Sequence, residues 1–180
     1  MLTAIDHQLF HFINQDVANP ILDFICPIWR SKSTWFPFYA LGAVYLLKKN
    51  RKQALLLIAV AALAILISDQ SSNLIKHFIH RQRPCNIGIA RLLLDHCSNG
   101  FSFTSNHAAN HFVLAVLLSV VFRKSKWLIA VLLFWASGVA FSQVYVGVHY
   151  PADVMAGAML GASIGAVMAI VYNKFLQLVD

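Results

Sequence analysis

Three stretches of the sequence place ionisable and hydroxyl side chains at spacings that chemistry can use. Lys76, His80 and Arg83 recur at i, i+4 and i+7, which puts them on one helical face if the helix continues to Pro84. Ser105-Asn106-His107 follows the aromatic-rich Phe101-Ser102-Phe103-Thr104. Ser105 has the chemistry of an N-cap, and the first free N–H groups of a helix make an anion site. In the third stretch, Ser142 to Asp153, Pro151 suits a helix's first turn, so Asp153 falls in that turn and His149 just before it. A carboxylate four residues on can accept the Nδ1–H of His149, leaving Nε2 with a lone pair for attack. Taken singly, each stretch has a plainer reading: snorkelling cations, an ordinary cap, a capping Asp beside an interfacial His. Together they supply what phosphoryl transfer asks for: charge stabilisation around a tetrahedral oxyanion, an in-line nucleophile, and an acid for the leaving oxygen.

The elements that must position these residues are apolar. Of the 180 residues, 59% are hydrophobic and only 12% charged, with a mean hydropathy of +0.66. That leaves too little polar surface for a soluble monomer, a disordered tail or a nucleic-acid module. Ala54 to Ile67 has no polar side-chain atom, and the stretch continues to Ile75, long enough to cross a bilayer. Trp35 to Leu47, Asn110 to Phe122, Trp127 to Tyr145 and Val154 to Tyr172 are further spans, and Ile21 to Trp29 is a short sixth. The expected fold is therefore an all-α polytopic membrane bundle of about six helices. Before it, Leu9, Phe10, Phe12 and Ile13 alternate with Asp6, His7, His11 and Asn14, as in an interfacial helix. Met1 to Asp6 has no basic run of the kind that opens a cleaved signal peptide.

Net charge is +7, from 14 Lys and Arg against seven Asp, with no Glu. Lys48, Lys49, Arg51 and Lys52 follow one span; Arg123, Lys124 and Lys126 follow another. The positive-inside rule makes both loops cytoplasmic, puts all three chemical stretches on the outer face of the inner membrane, and leaves the C-terminus inside. The N-terminus is inside if Ile21 to Trp29 spans; if that block lies in the interface there are five spans. Cys85 and Cys97 share the outer loop, where they are either bridged or two free thiols. A bridge would stabilise the loop by roughly 3 kcal/mol. Gly157, Gly161 and Gly165 form a small-residue stripe for close packing within the bundle or against a second copy of the chain, a route to a homo-oligomer. Asp69 and Asn73, a turn apart, are expected to brace the bundle.

Lys76-x6-Arg83-Pro84, Ser105-x-His107 and Ser142-x6-His149-x3-Asp153 resemble, in order and spacing, the three signature motifs of the type 2 phosphatidic acid phosphatase (PAP2) superfamily. The resemblance covers about 68–165 within a single membrane-embedded domain expected over 1–180. It implies a core shared with vanadium haloperoxidases, and a metal-independent, cofactor-free hydrolase of lipid phosphates or diphosphates. Carried over by position, it makes His149 the nucleophile that becomes phosphohistidine, Asp153 its orienting partner and His107 the general acid. Lys76, Arg83, Ser105, Asn106 and Gln143 fall at the phosphate-binding positions. The implied substrate is a polyprenyl diphosphate of cell-envelope synthesis, a phosphatidylglycerol phosphate, a phosphatidate or a lipid A phosphate.

This chain departs from the family pattern at three positions. Thr104 and Asn106 replace Pro and Gly of the second motif, and Gln143 replaces the Arg of the third. Gln lacks the fixed charge and bidentate fork of Arg, and Arg81 or His80 is the candidate replacement. The competing class is a weakly active or non-catalytic protein that binds anionic lipid. Retention of His149, His107 and Asp153 favours the enzyme, because binding alone needs cations and no nucleophile.

Overall fold

A computed structural model of the chain describes residues 2–179, leaving Met1 and Asp180, the ends of the expected domain, outside the described residues. The all-α expectation holds, with seven α-helices and no strand among the described residues. These are α1 (Leu2–His11), α2 (Pro20–Arg30), α3 (Lys32–Lys49), α4 (Arg51–Ile79), α5 (Asn106–Val121), α6 (Lys126–Tyr145) and α7 (Pro151–Val179). The starts follow from capping chemistry. Asn19, Asn50, Ser105 and Ser125 each accept a backbone N–H with a side-chain oxygen at a helix start. Proline opens α2 and α7, where its missing N–H costs nothing.

Helix α5 lies at the centre, packed on α4, α6 and α7. Its contact with α7 explains the glycine stripe. A Cβ at Gly157, Gly161 or Gly165 would come within 2.5, 2.0 or 2.6 Å of the carbonyl oxygens of Ser105, Ala109 and Val113. The stripe is thus covered inside the chain by the α5 backbone and is not a face left open to a second copy. Leu57, Val60, Val113, Leu117, Met168 and Tyr172 fill the adjoining core. Around the outside, Phe24, Leu41, Phe134 and Ile170 are about 70% exposed, a surface suited to lipid. Helices within Arg51–Ile87, Lys126–Tyr145 and Pro151–Gln177 are long and apolar enough to cross a membrane, and α5 is a shorter apolar helix. The protein is a multi-pass membrane protein.

The first part of the chain is arranged differently from a six-span reading. The start of α2 meets the end of α6, where the Asn19 N–H donates to the Tyr145 hydroxyl. The end of α2 meets the middle of α6, where Trp29 Nε1 donates to the Trp135 carbonyl. Helix α3 carries on in the same direction: Trp35 and Tyr39 pack on Trp135, and Tyr45 and Leu46 line one cavity with Leu128 and Leu132. Helices α2 and α3 therefore form one column antiparallel to α6, interrupted at Ser31. Helix α1 lies at the α6–α7 turn, with Phe10 and His7 on Tyr150. The N-terminal helix is thus at the same end as the His149 turn. Five columns result, because Ile21 to Trp29 is too short to cross alone.

Candidate active site

His149 is held in a turn that depends on a glycine at position 147. Helix α6 stops at Tyr145, and Gly147 takes φ 89° while a Cβ there would sit 3.0 Å from both the Ala90 Cβ and the Arg91 carbonyl oxygen. Glycine satisfies both the conformation and the space. The N–H groups of Val148 and His149 donate to the Gln143 carbonyl, and Pro151 restarts the helix. The imidazole is then gripped from two sides. Arg83 Nη1 lies 3.0 Å from Nε2, while Nδ1 lies 3.3 Å from Ser102 Oγ and 3.4 Å from Asp153 Oδ2. A guanidinium can only donate, so Nε2 is the lone-pair nitrogen and Nδ1 carries the proton. Burial, reinforced by the Arg83 charge and opposed by Asp153, pushes the ring from an ordinary 6.5 down to about 4.

Asp153, fully buried at the start of α7, has every oxygen engaged. Oδ2 accepts from Ser102 Oγ at 2.5 Å and from the Tyr150 N–H at 2.9 Å. Oδ1 accepts from Arg81 Nη1 at 2.7 Å. Arg81 in turn donates to Asp6 Oδ2 at 2.5 Å and lies 3.8 Å from the Tyr150 ring centre, while Asp6 Oδ1 accepts the Ala152 N–H. The interfacial helix expected from the sequence thus reaches the back of the site. Arg81, proposed as a replacement for the charge missing at position 143, is tied to two carboxylates instead. His80 packs its ring on Phe101.

In front of His149 opens a cavity of about 400 Å³ lined by Arg30, Lys76, Arg83, His107, Gln143 and His149 among others, and by no carboxylate among the described residues. Lys76 and Arg83 reach it from different elements. Helix α4 ends at Ile79 because His80 adopts the left-handed conformation (φ 51°, ψ 28°), so Lys76, His80 and Arg83 do not share one helical face. Arg83 sits in the following loop, where Nη1 also donates to the Val148 carbonyl and Nε to the Gly100 carbonyl. Lys76 Nζ donates to the Thr104 carbonyl.

The α5 end of the site divides its work. Ser105 caps the helix, accepting from the Ala108 N–H, and its own N–H donates to the Asp153 carbonyl. Its hydroxyl is fully buried and is not part of the cavity wall. Asn106 lines the cavity, but its Nδ2 donates back to Asp69 and Asn73 on α4. Asn110 also donates to Asp69, so Asp69 and Asn73 brace α4 against α5 as expected. His107 faces the cavity from the first turn, and its carbonyl accepts from His111 Nδ1. Gln143 has both amide atoms buried without a partner. Cys85 and Cys97 are bridged, and Ser98, Asn99 and Gly100, which line the cavity, follow directly after the second cysteine.

The PAP2 superfamily model matches residues 53–177. This chain belongs to the PAP2 superfamily. A lipid A 4′-phosphatase of Bacteroides thetaiotaomicron is 34% identical to it, covering 96% of this chain and 79% of that protein. An undecaprenyl-diphosphatase of Sulfolobus acidocaldarius is 31% identical, covering 86% of this chain and 72% of its own length. The crystal structure of LpxE from Aquifex aeolicus superposes with a TM-score of 0.71 at 27% identity, covering 94% of this chain and 95% of that one. The phosphatase class expected from the three motifs is the class of these named relatives. Within the PAP2 site of this chain, Arg30, Ser102 and Asp6 escaped the sequence reading. Ser102 and Asp6 act across long sequence separations that spacing cannot reveal. For Arg30 a signal existed: a charged residue between Trp29 and Trp35 at the end of an apolar block needs a partner or a purpose.

Proposed function

We propose that this membrane enzyme hydrolyses a lipid phosphate or diphosphate without a metal, through a phosphohistidine at His149. The observation that carries the reading is the setting of His149, with Arg83 on Nε2 and Ser102 and Asp153 on Nδ1, in the wall of a cavity lined by cations and a second histidine. In the first step Nε2 attacks phosphorus as the bond to the lipid oxygen breaks, and His107 gives that oxygen its proton. Lys76 and Arg83 hold the equatorial oxygens, the α5 N-terminus with Ser105 and Asn106 adds its dipole, and Gln143 offers one amide donor. Asp153 stabilises the positive ring that forms when His149 is phosphorylated. Water then attacks the phosphorus, His107 takes its proton, the P–N bond breaks, and inorganic phosphate leaves with His149 neutral again.

The substrate we favour is an envelope lipid with a phosphate on a sugar or a diphosphate on a polyprenyl chain, in line with the relatives named lipid A 4′-phosphatase and undecaprenyl-diphosphatase. A site on the extracytoplasmic face of the inner membrane is supported by the disulfide at the site end. The basic turns after α3 and α5 at the other end support the same orientation, with a cytoplasmic C-terminus. Phosphate release from a panel of these lipids by purified wild type and His149→Ala tests the mechanism. The variant is expected to lose on the order of 10⁴-fold or more; equal release by both sinks the phosphohistidine. No release by wild type on any lipid favours an anionic-lipid binder.

A further inference from the structure

Arg30 ends α2 at the Ser31 interruption and lines the cavity with Lys76, Arg83 and His149. The interruption is braced. Trp29 fits against Gly138, where any Cβ would come within 2.6 Å of its Nε1. Thr34 Oγ1 donates to the Ile28 oxygen, which also takes the Ser31 N–H, and Trp35 Nε1 donates to the Trp29 oxygen, each side-chain bond at 2.7 Å. Arg30 itself has no carboxylate among the described ion pairs, and its Nε is buried with no partner. Arg83, His107 and His149 line the same cavity as Arg30, so its guanidinium shares that space with the groups assigned to the reaction. Across the cavity wall, Gln143 is equally unpartnered.

A guanidinium whose Nε is buried without an acceptor and whose remaining donors line a cavity with no carboxylate among the described residues is completed when an anion enters that cavity. We propose that Arg30 binds the oxygens of the phosphoryl group being transferred, as a third cation beside Lys76 and Arg83, delivered by the α2–α3 break to a site whose α6 position is the neutral Gln143. The proposal rests on the phosphatase reading for its substrate, but it concerns anion binding and is measured apart from turnover. Because Gln143 and Arg30 face one cavity, the charge can be moved from one to the other.

Inorganic phosphate is the probe, and its dissociation constant is measured by thermal shift in detergent alongside kcat/KM on the best lipid phosphate. Arg30→Met keeps the aliphatic stem and is expected to weaken phosphate binding roughly tenfold or more, the worth of one charge-assisted hydrogen bond. Arg30→Lys retains most of the affinity, and Arg30→Met with Gln143→Arg recovers it. An affinity for phosphate within twofold of wild type in Arg30→Met overturns the proposal, as does a loss in a normally melting variant that Gln143→Arg fails to recover. Wild-type protein gives a second reading that no misfolding can obscure: saturating phosphate is expected to protect Arg30 from butanedione, read by peptide mass spectrometry. Unchanged modification of Arg30 refutes the assignment. If wild type hydrolyses no lipid yet phosphate protects Arg30, the catalytic reading falls and the anion site stands.

Discussion

The polar groups on the two sides of the His149 ring are arranged in opposite ways. Behind it, Asp153, Ser102, Arg81 and Asp6 form a closed chain in which each carboxylate oxygen has at least one donor. In front, Gln143 has no partner for either amide atom, Arg30 has none for its Nε, and no described carboxylate lines the cavity. A satisfied buried network fixes geometry, whereas an unsatisfied cationic one is incomplete until an anion arrives. In the proposed mechanism the rear holds the nucleophile and the front receives the phosphate. Variants on the two sides should therefore fail in different ways.

The largest rear effect is expected at Asp153. Asp153→Asn keeps the shape but removes the charge beside Nδ1 that, in the proposed mechanism, stabilises the phosphorylated ring. Turnover should fall roughly 10²- to 10⁴-fold, while the dissociation constant for inorganic phosphate stays within about threefold. A variant that loses phosphate binding as severely as turnover would erase the distinction between rear and front.

The next test is pH. With its ring pushed down to about 4, His149 is neutral above that value and keeps its lone pair; below it, protonation removes the nucleophile. Phosphate release is expected to fall about tenfold per pH unit below the folded value, with no His149 limb near 6.5. Two neighbours pull the ring in opposite directions: Arg83 lowers it and Asp153 raises it. Arg83→Met should move the acid limb upward and Asp153→Asn should move it downward; a limb that both variants shift the same way contradicts the assignment. The same sign holds for stability. A folded value below the unfolded 6.5 means that the contribution is complete above that pH and is lost as the pH falls from 6.5 through about 4.

The sequence made His149, Asp153, His107, Lys76 and Arg83 legible because each motif carries its chemistry within a dozen residues, so helix and turn geometry is enough to read it. Lys76 and Arg83 converge on the cavity even though the helix expected to run to Pro84 stops at Ile79. The convergence depends on the loop after His80, where Arg83 is held by the Gly100 and Val148 carbonyls, and not on one helical face. Arg30 was hidden because its meaning lies in the Ser31 break, and two short apolar blocks look alike whether they form two spans or one interrupted column. Ser105 caps α5 as expected and Asn106 follows it, but their side chains are engaged in capping and in bracing α4, contacts that a motif does not display. Asp6 looked like the polar face of an interfacial helix until its partner Ala152 placed it beside α7.

Asp6 provides the finest test of the comparison, because two residues, Arg81 and Asp153, stand between it and His149 and it touches no part of the cavity. Its Oδ2 takes one Arg81 nitrogen and leaves the other for Asp153, so it aims the guanidinium without meeting the substrate. Asp6→Ala should free that nitrogen, loosen Arg81 on Asp153 and let the His149 ring tilt from its line of attack. The expected cost is about three- to tenfold in kcat, with KM and the phosphate dissociation constant unchanged. Asp6→Asn keeps an oxygen for the Ala152 N–H and should lie between the two, since only the charge facing Arg81 is lost. Arg30→Met, by contrast, should move the phosphate dissociation constant. If Asp6→Ala weakens phosphate binding as Arg30→Met does, the rear network shapes the anion site directly, and the division of labour around His149 is wrong.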